Sequence, residues 1–135
     1  MKKNKLSIGI TSALVLISVI VITQSQDSEI KQDTEIVIEG DVIMPTKVSR
    51  PGCEETDSCY IPSIITVNQG RQITWLNEDA AFHSVTSGSY GEPSGLFDSG
   101  YLDPGQPFSI DFDEKGTFDY FCTLHPWMKG KVIVE

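Results

Sequence analysis

The sequence has little histidine, cysteine or methionine, and this scarcity narrows the chemistry open to it. Among 135 residues there are two histidines, His83 and His125, and three cysteines, Cys53, Cys59 and Cys122. Two histidines leave no second cluster to hold another metal or to act as a general base. The three methionines, one of them the initiator, form no methionine-rich tract of the kind that would favour metal storage. The chain therefore has the means for one metal or catalytic site.

Helical periodicity is also lacking after residue 25, and no internal repeat is present. Runs rich in β-branched and aromatic residues, separated by turn residues, instead predict short strands. We predict strands at Glu35–Ile43, Ile61–Val67, Arg71–Leu76, Pro107–Phe112, Gly116–Cys122 and Lys129–Val134. The turn residues Asn68, Gln69 and Gly70 predict that the second and third of these form a hairpin. Short strands at regular spacing predict an all-β sandwich.

Positive charge is scarce in the main part of the chain. From Gln26 onward there are seven basic and 19 acidic residues, a formal charge of −12. This charge argues against nucleic acid and anionic lipid headgroups as partners. It favours a basic partner, although an acidic surface also serves solubility alone.

The N-terminal segment has no charge between Leu6 and Thr23, a run of 18 residues that follows three lysines. Such a run is just long enough to cross a bilayer, and the lysines place the N-terminus inside. We predict a membrane anchor within residues 1–25, a linker over 26–34 and one domain over 35–135. A cleaved signal peptide is the alternative, and the protein would then be secreted. Both interpretations place the domain outside the cytoplasm.

The cysteines fit an oxidising compartment. Cys53 and Cys59 have five residues between them in the loop sequence PGCEETDSC, and we predict a disulfide between them. Cys122 is then unpaired, and a role as a metal ligand would account for a free thiol outside the cell.

A thiolate, an imidazole and a thioether follow one another at three-residue spacing, as Cys122, His125 and Met128. A short loop between two strands can turn all three towards one centre, and His83 can join them from an earlier strand. Soft sulfur suits Cu(I) and imidazole suits both copper oxidation states, so the set predicts a type 1 copper site with an axial methionine. Zinc is less suited, because methionine is a poor zinc ligand. Taken alone, Met128 could also be core filler.

The two segments around these residues resemble the cupredoxins of the plastocyanin/amicyanin type. The first is ITVNQGRQITWLNEDAAFHSV and the second is FDSGYLDPGQPFSIDFDEKGTFDYFCTLHPWMKGKVIVE, so the resemblance runs from about Ile61 to Glu135. It implies a Greek-key β-sandwich of about eight strands with copper at one end. It also implies the ligand set His83, Cys122, His125 and Met128. The short ligand loop is more similar to that of amicyanin, and Cys53 and Cys59 are not part of the general family pattern.

Neighbours of the ligands carry further expectations. Ser84 follows the first histidine, where the family often has a side chain that bonds near the cysteine sulfur; an ordinary strand serine is equally compatible. By the same resemblance the edge of His125 reaches the surface through an apolar patch. We expect Pro126 and Trp127 to border this patch, joined by Phe82 or Leu124.

These observations predict an electron carrier that holds one Cu(I)/Cu(II) ion and exchanges single electrons with a redox protein. We expect it to be a monomer and not an enzyme. The alternative is a copper oxidoreductase acting on a small molecule such as nitric oxide, which requires an axial position left open by Met128. Copper carriage or storage is a third, weaker alternative.

Overall fold

The computed structural model describes residues 39–135, which form an all-β sandwich, as predicted. Its strands are β1 (Val42–Met44), β2 (Ile64–Val67), β3 (Arg71–Asn77), β4 (Thr86–Ser89), β5 (Glu92–Asp98), β6 (Pro107–Phe112), β7 (Gly116–Phe121) and β8 (Lys129–Val134). A four-residue 3-10 helix, Cys53–Thr56, lies in the long connection between β1 and β2. Within the described part of the chain no helix is long and apolar enough to cross a membrane. The predicted anchor, Leu6–Thr23, lies outside the described residues.

The strands form two sheets that enclose the core. The smaller sheet has the order β1-β3-β6, and the larger has the order β2-β8-β7-β4-β5. The pairs β1–β3 and β2–β8 are parallel, and the other pairs are antiparallel. Alternate side chains of β1 and β3 are buried, as expected of strands in two sheets packed face to face.

The predicted hairpin of Ile61–Val67 with Arg71–Leu76 is wrong. β2 pairs with β8 in the larger sheet, whereas β3 pairs with β1 and β6 in the smaller one. Gly70, with a φ of 81°, lets the chain cross between the sheets, and its N–H donates to the Phe112 carbonyl.

The hairpin of β4 and β5 was not predicted, because its residues are mostly small or polar. The Ser87 hydroxyl stabilises it by donating to the Phe97 carbonyl and accepting from the backbone N–H groups of Leu96 and Phe97. This hairpin extends the larger sheet and places the start of β4 beside the end of β7.

Gly130 sits directly opposite Tyr120 in the pairing of β7 with β8. A Cβ atom at position 130 would overlap the Tyr120 ring, so only glycine allows this buried tyrosine its place. This close approach holds the start of β8 against β7, at the end of the sandwich where Cys122 and Met128 lie.

The predicted disulfide is present between Cys53 and Cys59, and Cys122 is a buried free thiol. We expect thiol titration of the denatured, metal-free protein to find one thiol before reduction and three after it. Finding three before reduction would contradict the disulfide.

Candidate metal centre

The loop from Cys122 to Met128 is held by two backbone hydrogen bonds, one across its base and one within it. The Cys122 N–H donates to the Met128 carbonyl at 3.1 Å, and the Met128 N–H donates to the His125 carbonyl at 2.9 Å. Because the loop joins the adjacent antiparallel strands β7 and β8, its first and last residues lie side by side. Cys122 and Met128 are fully buried, and His125 is half-buried.

His83 reaches the same place from the connection between β3 and β4. Its N–H donates to the Leu102 carbonyl and its carbonyl accepts from the Leu102 N–H, which holds this segment against the chain that leads to β6. The His83 side chain is fully buried.

Three donor atoms converge at this end of the sandwich. The Cys122 Sγ lies 3.5 Å from the His125 Nδ1 and 3.9 Å from the His83 Nδ1, and the two Nδ1 atoms are 3.1 Å apart. All three ligand atoms fall within 4.8 Å of one another. Two ring nitrogens that face each other so closely cannot both carry a proton, and a metal ion between them could accept a lone pair from each.

Asp79 sets the orientation of the His83 ring. Its Oδ2 lies 2.9 Å from the His83 Nε2, and both side chains are buried. Burial raises the pKa of Asp79, but hydrogen bonds from His83 and from three backbone N–H groups outweigh it and lower the pKa to about 2. The carboxylate can only accept, so the His83 Nε2 donates to it, and Nδ1 is the ring nitrogen that faces Cys122 and could bind a metal ion.

The surroundings of Cys122 favour the thiolate form. Burial raises the pKa of the thiol, but hydrogen bonding with His83 and with backbone N–H groups outweighs it, so the pKa lies below its usual value. The backbone donors belong to Ser84, Leu124 and His125. A thiolate is the form that binds metals.

Ser84 contacts the site through both its main chain and its side chain. Its backbone N–H donates to the Cys122 Sγ at 3.3 Å. Its hydroxyl accepts from the Thr123 N–H at 2.9 Å and lies 3.1 Å from the Thr123 hydroxyl. The side chain therefore holds the loop to β4, while the main chain bonds the sulfur.

The donor set fits a soft, redox-active metal. Two imidazoles and one thiolate point to a common centre, and a thioether follows in the same loop. The sequence of residues 48–135 matches the family described as copper binding proteins, plastocyanin/azurin family. The chain belongs to this family. It is a cupredoxin related to plastocyanin and amicyanin, and copper is its cofactor.

Individual relatives agree with this assignment. The cupredoxin is 38% identical over 78 residues to amicyanin of Paracoccus versutus, covering 56% of this chain and 58% of the relative. It is 33% identical over 92 residues to plastocyanin of Scenedesmus fuscus, covering 62% of this chain and 94% of the relative. The match to the amicyanins thus spans little more than half their length.

A solved structure has the same fold. The novel purple cupredoxin from Nitrosopumilus maritimus superposes with a TM-score of 0.65 at 30% sequence identity. The match covers 72% of this chain and all of the other.

The four apolar side chains expected at the surface beside His125 are all at least partly accessible. Phe82 is 53% exposed and Leu124 is 39% exposed, whereas Pro126 and Trp127 are half-buried. Trp127 also packs against His125: its ring centroid is 5.3 Å from that of His125, and its Nε1 donates to the Val48 carbonyl at 3.0 Å.

The sequence did not point to Asp79, because neither its burial nor its bond to His83 is visible in the pattern NEDAAFH.

Proposed function

We propose that this cupredoxin carries single electrons between redox partners outside the cytoplasm, using one type 1 copper held by His83, Cys122, His125 and Met128. The observation that carries the proposal is the buried convergence of two imidazole nitrogens and one thiol sulfur within 4.8 Å. Copper bound there would alternate between Cu(I) and Cu(II). The axial role of Met128 is supported by its full burial in the loop that also holds Cys122 and His125.

The chain's own residues favour fast electron exchange with little rearrangement. Asp79 holds the His83 ring, and two backbone hydrogen bonds, one across the base of the ligand loop and one within it, hold that loop. Donors fixed in advance keep their geometry when the charge at the centre changes, which lowers the cost of each transfer.

The location outside the cytoplasm rests on two features. The disulfide Cys53–Cys59 is typical of oxidising compartments. The uncharged run Leu6–Thr23 behind three lysines is typical of an anchor or a signal peptide. The partner we propose is a redox protein with a basic docking surface, because the chain after residue 25 carries a formal charge of −12.

Copper titration and redox titration test the function together. One copper should bind per chain, give an intense visible thiolate-to-copper band, and undergo reversible one-electron reduction. Stable changes of the visible spectrum on adding azide or nitric oxide would instead support an open copper position and the alternative of small-molecule chemistry.

Electron exit through the apolar surface beside His125 gives a second test. Leu124→Glu should slow electron self-exchange between oxidised and reduced protein by about tenfold or more, because two like charges meet in the encounter. The rate is measured by NMR line broadening in mixtures of the two oxidation states. The visible spectrum should stay unchanged, since the Leu124 side chain is not a ligand.

Leu96→Glu is the matched control. It adds the same charge at a side chain that is 66% exposed and lies beside Asp113 and Glu114, at the end of the sandwich opposite the ligand loop. Its self-exchange rate should stay near the wild-type value. Equal slowing in both variants would place the exit elsewhere.

A further inference from the structure

The connection between β1 and β2 contains the one feature that the family resemblance leaves unexplained. We call residues 45–60 the disulfide loop. It contains the 3-10 helix and the Cys53–Cys59 bond, whose cysteines are six positions apart. The helix itself has no buried residue. The loop nevertheless touches three segments that hold the metal-site residues.

The first contact is with the ligand loop. The Val48 carbonyl accepts the Trp127 indole N–H at 3.0 Å, and Trp127 packs against the His125 ring. Both disulfide sulfurs lie at this contact: the Cys53 Sγ is 3.9 Å from the Val48 carbonyl oxygen, and the Cys59 Sγ is 4.0 Å from the Trp127 carbonyl oxygen. The disulfide thus packs against both partners of the hydrogen bond that positions the Trp127 indole beside His125.

The second contact runs through Asp79. The backbone N–H groups of Lys47 and Ser49 donate to its two carboxylate oxygens, at 2.8 and 3.2 Å. The same carboxylate bonds the Nε2 of His83. The disulfide loop therefore holds the group that orients the first histidine.

The third contact lies behind Cys122. The Tyr60 hydroxyl donates to the Ser84 carbonyl at 2.6 Å, and both residues are buried. The Ser84 N–H is the donor to the Cys122 Sγ. One loop thus contacts the supports of His83, Cys122 and His125 at once.

Much of this loop is exposed, and few apolar side chains hold it in place. Within residues 45–60 the buried side chains are those of Val48, Cys59 and Tyr60. A disulfide restricts the conformations open to such a loop. The Cys53–Cys59 bond therefore limits the motion of a loop that has few buried side chains to hold it.

We propose that the disulfide loop is a positioning element of the metal centre: with Cys53–Cys59 closed, it fixes Trp127 against His125 and Asp79 against His83. The predicted effect on copper binding rests on the proposed function. The contacts of the disulfide loop are made by the metal-free chain and do not depend on it. Opening the disulfide should loosen the site's supports while the sandwich stays folded.

The experiment compares wild-type protein with the double variant Cys53→Ser/Cys59→Ser. The chain has two tryptophans, Trp75 in the core and Trp127 at the site, so two indole N–H signals report on the two regions separately. In the metal-free double variant, hydrogen exchange at the Trp127 indole should accelerate by about tenfold or more, while Trp75 keeps its protection. In the copper-loaded protein the affinity for copper should fall by about 10- to 100-fold, with a shifted visible spectrum.

Glu55→Gln is the control within the same loop, because Glu55 is exposed and in the same 3-10 helix. It should leave both indole signals and the spectrum as in the wild type. Trp127→Phe offers a second route with the disulfide intact: it keeps an aromatic ring beside His125 and removes only the N–H donor to Val48. The His125 ring signals of the metal-free variant should shift, and its copper affinity should fall.

Two results of the double variant would overturn the proposal. Unchanged exchange at Trp127 would show that the loop keeps its place without the bond. Equal acceleration at both tryptophans would show that the disulfide stabilises the whole fold. If the double variant does not fold, unchanged His125 signals and copper affinity in Trp127→Phe would overturn it. A wild-type protein that binds no copper would refute the proposed function, while indole exchange would still decide the positioning role.

Discussion

Replacing Cys122 with serine is expected to abolish the intense visible absorption of the copper-loaded protein. The band arises from charge transfer between a thiolate and copper, and a serine hydroxyl is a hard, weak donor that cannot supply it. The Cys122 sulfur lies within 4 Å of both histidine Nδ1 atoms, and no other thiol can replace it because Cys53 and Cys59 are joined in the disulfide. The measurement is the visible spectrum after titration with Cu(II), together with copper content after dialysis.

Leu124→Ala is the matched control for this substitution. Leu124 lies in the same loop with its side chain partly exposed, so its truncation leaves the ligand atoms in place. The band should be retained. A Cys122→Ser protein that keeps the band would remove Cys122 from the ligand set and with it the type 1 assignment.

Replacing Trp75 with alanine is expected to lower the free energy of unfolding by about 3–5 kcal/mol. The side chain is fully buried, and four aromatic rings surround it with centroids between 5.3 and 6.3 Å away. These rings belong to Phe97, Phe108, Phe112 and Tyr120. Because the neighbours come from both sheets, they cannot collapse into the space without moving the sheets together. This loss is a large share of the free energy of unfolding of a typical domain, which is roughly 5–15 kcal/mol.

Denaturant unfolding of the metal-free protein, followed by far-ultraviolet circular dichroism, measures this loss. Tyr101→Ala is the control, since that aromatic side chain is 65% exposed. Its effect should stay within about 0.5 kcal/mol. If Trp75→Ala costs less than about 1 kcal/mol, the packing between the sheets is not what holds them together.

The residues that sequence could assign are those whose chemistry is local. The spacing of Cys122, His125 and Met128 needs only one short loop to bring them together. The strands at Pro107–Phe112 and Lys129–Val134 have the bounds predicted from their β-branched and aromatic residues. In both cases the information lies within a few neighbouring positions.

What the sequence did not reveal depends on distant partners. Asp79 receives hydrogen bonds from backbone groups about 30 positions earlier, and nothing in the pattern distinguishes it from Glu78. The pairing of β2 with β8 joins residues 67 positions apart. The turn residues up to Gly70 are compatible with a hairpin and with a crossing to the other sheet, so they could not distinguish the two. Local propensity does not determine which strands become neighbours.

The place of β8 in the larger sheet has a consequence for biosynthesis. β8 lies between β2 and β7, and among the described strands β2 has no other partner. Contacts of such high sequence separation make folding slow, and this sheet cannot close until β8 is available. Met128 immediately precedes β8, and its backbone closes the ligand loop. A nascent domain without β8 therefore lacks both the strand that joins β2 to the sheet and the backbone that closes the ligand loop, so we expect it to bind copper only after β8 has been made.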